Sequence, residues 1–115
     1  MAVAMFMRCT GISRAEYDRV IASLELDVSP APGHIVHVAG EADDGLVVCD
    51  VWQTRETAES FVHDVLEPKL ATMRLKPELS WEIFPLHNLY APDFDTIERI
   101  GAVSLPLYPS GVALR

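Results

Sequence analysis

Basic residues are scarce in this chain, and their scarcity excludes the partners that depend on them. Nine Lys and Arg stand against 17 Asp and Glu in 115 residues, which gives a net charge of −8. Binding to phosphate backbones needs clustered basic side chains, and here they are scattered from Arg8 to Arg115. An anionic membrane surface repels such a chain for the same reason. We therefore expect neither nucleic acid nor membrane as a partner.

Cysteines and long apolar runs are equally sparse. Cys9 and Cys49 lie far apart without the spacing of a zinc site or a redox pair, so we expect reduced thiols. The apolar run at residues 1–7 is too short to span a bilayer, and no basic segment of a signal peptide precedes it. These features predict a cytoplasmic protein.

Motifs for cofactors and metals are also missing. The sequence contains no glycine-rich phosphate loop, nucleophile elbow or dinucleotide fingerprint, and we expect no cofactor. His34 and His37 are three positions apart on a predicted strand, a spacing that places them on opposite faces. The histidines therefore predict no metal site.

The most informative stretch is residues 33–53, GHIVHVAGEADDGLVVCDVWQ, which predicts two apolar strands joined by a turn at residues 42–45. A capping box of Ser13 and Glu16 predicts a helix before it, and Thr54 begins a second helix after it. Pro68 is expected to end or kink the second helix near Glu67, and one continuation is a short helix with Pro68 in its first turn. The first helix carries an apolar stripe of Tyr17, Val20, Ile21 and Leu24.

Further strands at residues 3–8 and 80–85 complete the order β-α-β-β-α-β. This is the ferredoxin-like α+β pattern, with four antiparallel strands and both helices on one face. Because we expect Val, Trp and Met on the other face, a second copy of the chain should cover it and form a homodimer. Residues 1–90 form this predicted domain, and residues 91–115 form an extension with a short helix and an extended arm.

Asp50 lies within the apolar strand VVCDVW, where burial of a carboxylate is costly unless it is paired. It either makes a structural hydrogen bond or orients a histidine that moves protons. With a four-residue turn at 42–45, His37 lies directly opposite Asp50. With a type I turn and a bulge, Val38 opposes Asp50, and His34 is then the histidine on its face. The sequence leaves both registers open.

Three further residues are candidates for contact with a hydrophobic small molecule. Trp52 shares the face of Asp50 and would wall an apolar pocket and stack on a flat ligand, unless it packs in the core. His87 follows the last strand and would close the mouth of the pocket, unless it is simply solvated. Phe61 lies on the apolar face of the second helix. With His34, these residues make up the expected substrate-binding set.

The segments HVAGEADDGLVVCDVWQTRETAESF at residues 37–61, LEPKL at 66–70 and EIFPLHN at 82–88 resemble the dimeric α+β barrel superfamily, and in particular small proteins of the antibiotic biosynthesis monooxygenase type. The resemblance implies two βαββαβ subunits packed sheet to sheet, each with a cavity between sheet and helices. It does not extend to haem degradation, because Phe61 and Ala71 stand near positions where haem-degrading relatives carry Trp and His.

Together, the residues and the resemblance predict a cofactor-independent enzyme with His37 and Asp50 as its catalytic pair. The expected reaction is cyclisation, isomerisation or monooxygenation of a hydrophobic aromatic or polyketide-like molecule. The alternative is a non-catalytic barrel that binds a small ligand or acts in stress.

Overall fold

The computed structural model describes residues 1–26 and 28–93, so most of the predicted extension at 91–115 lies outside the described residues. The elements are the strands β1 Val3–Thr10, β2 His34–Ala42, β3 Gly45–Trp52 and β4 Glu78–Pro85, and the helices α1 Arg14–Leu24, α2 Arg55–Phe61 and α3 Glu67–Thr72, with a π-helical turn at Val62–Leu66. None of the described helices is both long and apolar enough to span a membrane. The two described cysteines are free, as expected.

The four strands form one antiparallel sheet in the order β2-β3-β1-β4. This order, together with the sequence of elements, confirms the α+β ferredoxin-like βαββαβ fold. The side chains of β1 point alternately to the two faces of the sheet, and Met5 and Met7 are buried on the face that the helices cover. Ala58 of α2 belongs to the same core cluster, and Val20 of α1 belongs to the neighbouring one. The helices therefore cover one face of the sheet and leave the other face uncovered.

The face that the described helices leave uncovered is apolar, but of the predicted Val, Trp and Met it carries only Val among the described residues. Met5, Met7 and Trp52 point toward the helices, so the expectation of Met and Trp on the free face is wrong. The alternation of the strands places Phe6, Val38 and Phe84 there, with 49%, 58% and 46% of their surfaces exposed; two of them, Phe6 and Phe84, meet edge to face with centroids 6.0 Å apart. These three residues are called the apolar sheet face below.

Both helix starts follow the sequence, and so does the short helix at Pro68. Ser13 and Thr54 cap α1 and α2, each in a capping box. α2 ends at Phe61, and α3 begins at Glu67 with Pro68 in its first turn as expected, but the sequence does not predict the π-helical turn that joins the two helices. There Glu67 N–H donates to the Val62 carbonyl, five residues back, and the helix then continues as α3.

The hairpin between β2 and β3 has a two-residue turn, Asp43 and Asp44, because Ala42 pairs with Gly45. Gly45 is required at the start of β3 by close packing against β1. A Cβ atom at Gly45 would lie 2.0 Å from the Cys9 carbonyl oxygen, and its φ of +156° also disfavours a side chain. The tight hairpin end thus sets the register on which the site depends.

Candidate functional site

The register of β2 against β3 places His37 directly opposite Asp50. Glu41 pairs with Leu46, as the tighter of the two predicted turns requires, and the bulged alternative at the turn is wrong. His37 and Asp50 therefore share one face of the sheet, the face that the helices cover.

A bulge at the other end of β2 brings His34 to the same face. His34 pairs with Trp52 and Val36 pairs with Val51, so Ile35 is an extra residue without a partner of its own. The extra residue cancels the alternation between the two histidines. The prediction that they point to opposite faces is wrong for this reason.

Both histidines meet the same oxygen atom of Asp50. His34 Nε2 and His37 Nδ1 each lie 2.7 Å from Asp50 Oδ1, and Asp50 is only 5% exposed. An ionised carboxylate is purely an acceptor, so each ring donates an N–H to it. Burial alone would raise the pKa of Asp50, but the hydrogen bonds and charges of the two histidines outweigh burial and hold that pKa below its usual value.

Tyr17, which the sequence analysis did not select, extends this network. Its hydroxyl oxygen lies 2.5 Å from His37 Nε2, so His37 is bonded at both ring nitrogens. Burial, followed by the negative charge of Asp50, raises the pKa of Tyr17 to about 12. The sequence offered one sign of it: Tyr17 is the only member of the apolar stripe of α1 that carries a hydroxyl group.

Trp52 lies in the core and has no face free for a ligand. It is 0% exposed, and the His34 ring stacks on it with centroids 4.2 Å apart and an angle of 12°. Phe61 packs on Trp52 at 5.2 Å. The expected role of Trp52 as a wall for stacking is therefore wrong, because the space is filled by His34. Among the described residues, the Trp52 Nε1 atom has no hydrogen-bond partner.

A small cavity of about 60 Å³ lies between the sheet and the helices beside this network. Polar groups of its lining belong to Tyr17, His34, His37 and Asp50, and Phe61 contributes to its wall. The rest of the lining is mainly apolar and includes Met5, Met7, Val20, Leu66 and Leu70. His87 is exposed beyond the end of β4 and does not line the cavity. The prediction that His87 closes the mouth of the pocket is therefore wrong for this cavity.

His34, His37 and Asp50 also form a donor set that suits a divalent metal, with their ligand atoms within 4.8 Å of one another. Ligands around an ion with bonds of about 2.1 Å stand about 3 Å or more apart. The two N···O separations of 2.7 Å are shorter than that and match hydrogen bonds. In this geometry hydrogen bonds join the three side chains. A metal ion would have to displace the two bonding protons and move the histidine nitrogens away from the Asp50 oxygen.

Comparison with known proteins gives similarity in fold rather than in sequence. No protein-family model matches the chain, and no curated protein matches it either. Among solved structures, a variant of SnoaB, a cofactor-independent oxygenase from Streptomyces nogalater, is 18% identical with a TM-score of 0.56, covering 76% of this chain and 95% of SnoaB. NE2512 from Nitrosomonas europaea, of unknown function, is 17% identical with a TM-score of 0.60, covering 79% of this chain and 94% of its own.

A candidate antibiotic biosynthesis monooxygenase from Deinococcus radiodurans is 10% identical with a TM-score of 0.55, covering 79% of this chain and 97% of its own. At such identities the likeness concerns the path of the backbone and assigns no role to any residue. The chain therefore shares the α+β fold of these solved structures, which include a cofactor-independent oxygenase and a candidate antibiotic biosynthesis monooxygenase.

Proposed function

We propose that the protein is a small enzyme that works without a bound cofactor on a hydrophobic aromatic or polyketide-like molecule. His37 moves the proton in this reaction, and Asp50 holds its ring in place through a hydrogen bond. His34 and Phe61 shape the end of the cavity at which the substrate reacts. The fold it shares with an oxygenase and with a candidate monooxygenase supports small-molecule chemistry of this general kind.

The observation that carries the proposal is the buried carboxylate shared by two imidazoles at the wall of a cavity. A buried ionic group contributes little to stability compared with an apolar side chain of similar volume, so stability alone gives little reason for this arrangement. Here Asp50 Oδ1 accepts hydrogen bonds from both His34 and His37, and both histidines line the cavity. A histidine held by a buried carboxylate is a common arrangement for proton transfer.

Abstraction of a proton from carbon is a first step that the three expected reactions have in common. The carbanion closes a ring when it attacks a carbonyl group, and it isomerises when it is reprotonated at another atom. In monooxygenation it passes electrons to molecular oxygen, which supplies one oxygen atom to the product and leaves the other as water. The residues at the site supply the base for each of these outcomes.

We further propose that the enzyme is a cytoplasmic homodimer. The apolar sheet face of Phe6, Val38 and Phe84 has no cover within residues 1–26 and 28–93, and it is of the kind that proteins bury in an interface. A second copy of the chain offers the same surface and covers it about a two-fold axis. Free cysteines suit a reducing compartment.

The test is hydrogen exchange on an enolisable aromatic ketone. With phenylacetone in deuterium oxide, the wild-type protein should speed the exchange of the C–H protons next to the carbonyl group, followed by proton NMR. His37→Gln should slow that exchange about 100-fold or more, because a positioned base contributes at least this factor. His63→Gln is the matched control, since His63 is exposed, does not line the cavity, and contacts Glu67 and Trp81 instead of Asp50. Exchange that is unaffected by His37→Gln would contradict the proposal.

One observation favours a second candidate, a barrel that binds a small ligand without catalysis. The cavity of about 60 Å³ is well below the roughly 300 to 1,000 Å³ of ordinary ligand pockets, so a large substrate must push the wall outward. Binding of phenylacetone without any exchange would favour this second function over the enzyme.

A further inference from the structure

The histidine at the centre of the proposed chemistry has no ring nitrogen left for a ligand. His37 Nδ1 lies 2.7 Å from Asp50 Oδ1, and His37 Nε2 lies 2.5 Å from the Tyr17 hydroxyl oxygen. Protein groups thus occupy both positions at which an imidazole exchanges a proton. A ligand reaches Nε2 only if it displaces Tyr17.

The direction of each hydrogen bond follows from the carboxylate. Ionised Asp50 accepts from His34 Nε2 and from His37 Nδ1. A neutral His37 ring carries one hydrogen, and with that hydrogen on Nδ1 its Nε2 atom is an acceptor. Tyr17 O–H therefore donates to Nε2, and the phenol oxygen keeps a lone pair for one more donor.

Tyr17 has the surroundings that a terminal group of such a chain needs. It is partly buried, and it lines the same cavity as His37 and Asp50. Its pKa of about 12, raised by burial and then by the charge of Asp50, keeps the phenol protonated at neutral pH. A protonated phenol both accepts one proton and releases another, as a relay requires.

We infer that Tyr17 is the catalytic residue that exchanges the proton with the ligand, and that His37 and Asp50 act through it; this inference rests on the proposed function. When a C–H or O–H bond of the ligand breaks, its proton bonds to the Tyr17 oxygen while the Tyr17 hydroxyl proton moves to His37 Nε2. The electron pair of the broken bond stays on the ligand as an enolate or phenolate. His37 becomes an imidazolium that faces ionised Asp50, and the reverse transfer returns the proton.

The same geometry defines the class of ligand. Apart from the polar end at Tyr17, His34, His37 and Asp50, the cavity lining is mainly apolar. The negative charge of Asp50 repels a substrate that is already anionic when it binds, whereas an anion formed by the relay faces a protonated His37 that offsets this charge. The relay therefore suits an uncharged, weakly acidic molecule with an apolar body, such as a phenol or an enolisable ketone.

The first test uses para-nitrophenol as the probe, because its phenolate absorbs visible light. Wild-type protein should bind it and shift its ionisation toward the phenolate, since the relay accepts the proton. Tyr17→Phe keeps the ring and removes only the hydroxyl group, so this variant should lose the shift. Tyr90→Phe is the matched control, because Tyr90 is 80% exposed, and it should behave as the wild type. Wild-type protein that gives no shift, or that fails to bind the probe, overturns the inference.

The second test uses the phenylacetone exchange described above. Tyr17→Phe should lower kcat about 100-fold or more while KM changes little, because the variant still binds the ketone but lacks the terminal group. Full exchange in Tyr17→Phe together with loss in His37→Gln overturns the relay and leaves the proposed function standing. Absence of exchange in the wild type contradicts the proposed function. The para-nitrophenol measurement then still tests whether Tyr17 takes up a proton from a bound ligand. Circular dichroism and thermal melting of each variant verify that it is folded.

Discussion

The His34 ring lies flat on the indole of Trp52, with centroids 4.2 Å apart, and its Nε2 atom lies 2.7 Å from Asp50 Oδ1. One side chain thus covers the most deeply buried aromatic residue of the core and also satisfies a buried charge. Loss of His34 therefore removes two kinds of stabilisation together.

We expect His34→Ala to lower the free energy of unfolding by about 2 to 4 kcal/mol, because Asp50 loses a charged hydrogen bond and a void opens beside Trp52. Urea denaturation followed by tryptophan fluorescence measures the change. His63→Ala is the control, and it should cost about 0.5 kcal/mol or less, since exposed pairs such as His63 with Glu67 contribute little. Equal losses in the two variants would show that His34 does not have this double role.

The lowered pKa of Asp50 predicts how stability changes in acid. An unfolded Asp binds its proton near pH 3.9, whereas folded Asp50 binds it only at a lower pH. The stabilisation from Asp50 is therefore complete above the unfolded value and is lost as the pH falls through the folded value. Asp50→Asn should therefore give a shallower fall of unfolding free energy than the wild type as the pH drops below about 4.

Asp43→Asn provides the comparison for that series, because Asp43 is an exposed turn residue. Urea denaturation at several pH values should show the same dependence of unfolding free energy on pH for Asp43→Asn as for the wild type. If Asp50→Asn followed the wild-type curve as closely, the carboxylate would not be held ionised by the histidines.

The apolar sheet face predicts the behaviour of a charge placed on it. Phe6→Glu should convert the proposed dimer to a monomer, because a carboxylate buried between two sheets costs several kcal/mol. Sedimentation velocity over a range of concentrations measures the change. Val65→Glu adds the same charge at a partly exposed apolar position on the helical side and should leave the dimer intact. A wild-type protein that is monomeric at every concentration would contradict the proposed assembly.

The hairpin end offers a test of the register itself. Gly45→Ala should destabilise the protein by at least about 2 kcal/mol, because the new methyl group would meet the Cys9 carbonyl oxygen at 2.0 Å. Gly40→Ala should have a much smaller effect, since nothing lies within 4 Å of a Cβ atom there. Thermal melting compares the two. A Gly45→Ala protein as stable as Gly40→Ala would mean that β1 and β3 do not approach as described.

The sequence was sufficient for the fold and for one half of the site. Strand alternation and two capping boxes indicate the βαββαβ order, and counting from a tight turn places His37 opposite Asp50. Both inferences depend on local chemistry, which a single sequence displays. The choice between two turn types stayed open, because Asp-Asp-Gly suits the type I turn with a bulge, whereas the structure has the tighter turn.

The other half of the site depends on features that leave no mark in a sequence. One extra residue at Ile35 changes the face of His34, yet a strand with a bulge has the same composition as one without it. Tyr17 on an apolar stripe has the same spacing whether its hydroxyl group is solvated or bonded to His37. The π-helical turn between α2 and α3 likewise has no signal in the sequence, although Pro68 does predict the short helix that follows it.

The most direct test of the proton chemistry compares Asp50→Asn with the wild type in the phenylacetone exchange, under conditions where both are folded. Asn preserves the shape of the side chain and removes the charge that stabilises protonated His37. We expect the exchange rate to fall about 100-fold or more, because His37 then accepts the proton without a facing negative charge. An exchange rate in Asp50→Asn equal to that of the wild type would contradict the proposal that this carboxylate drives the transfer.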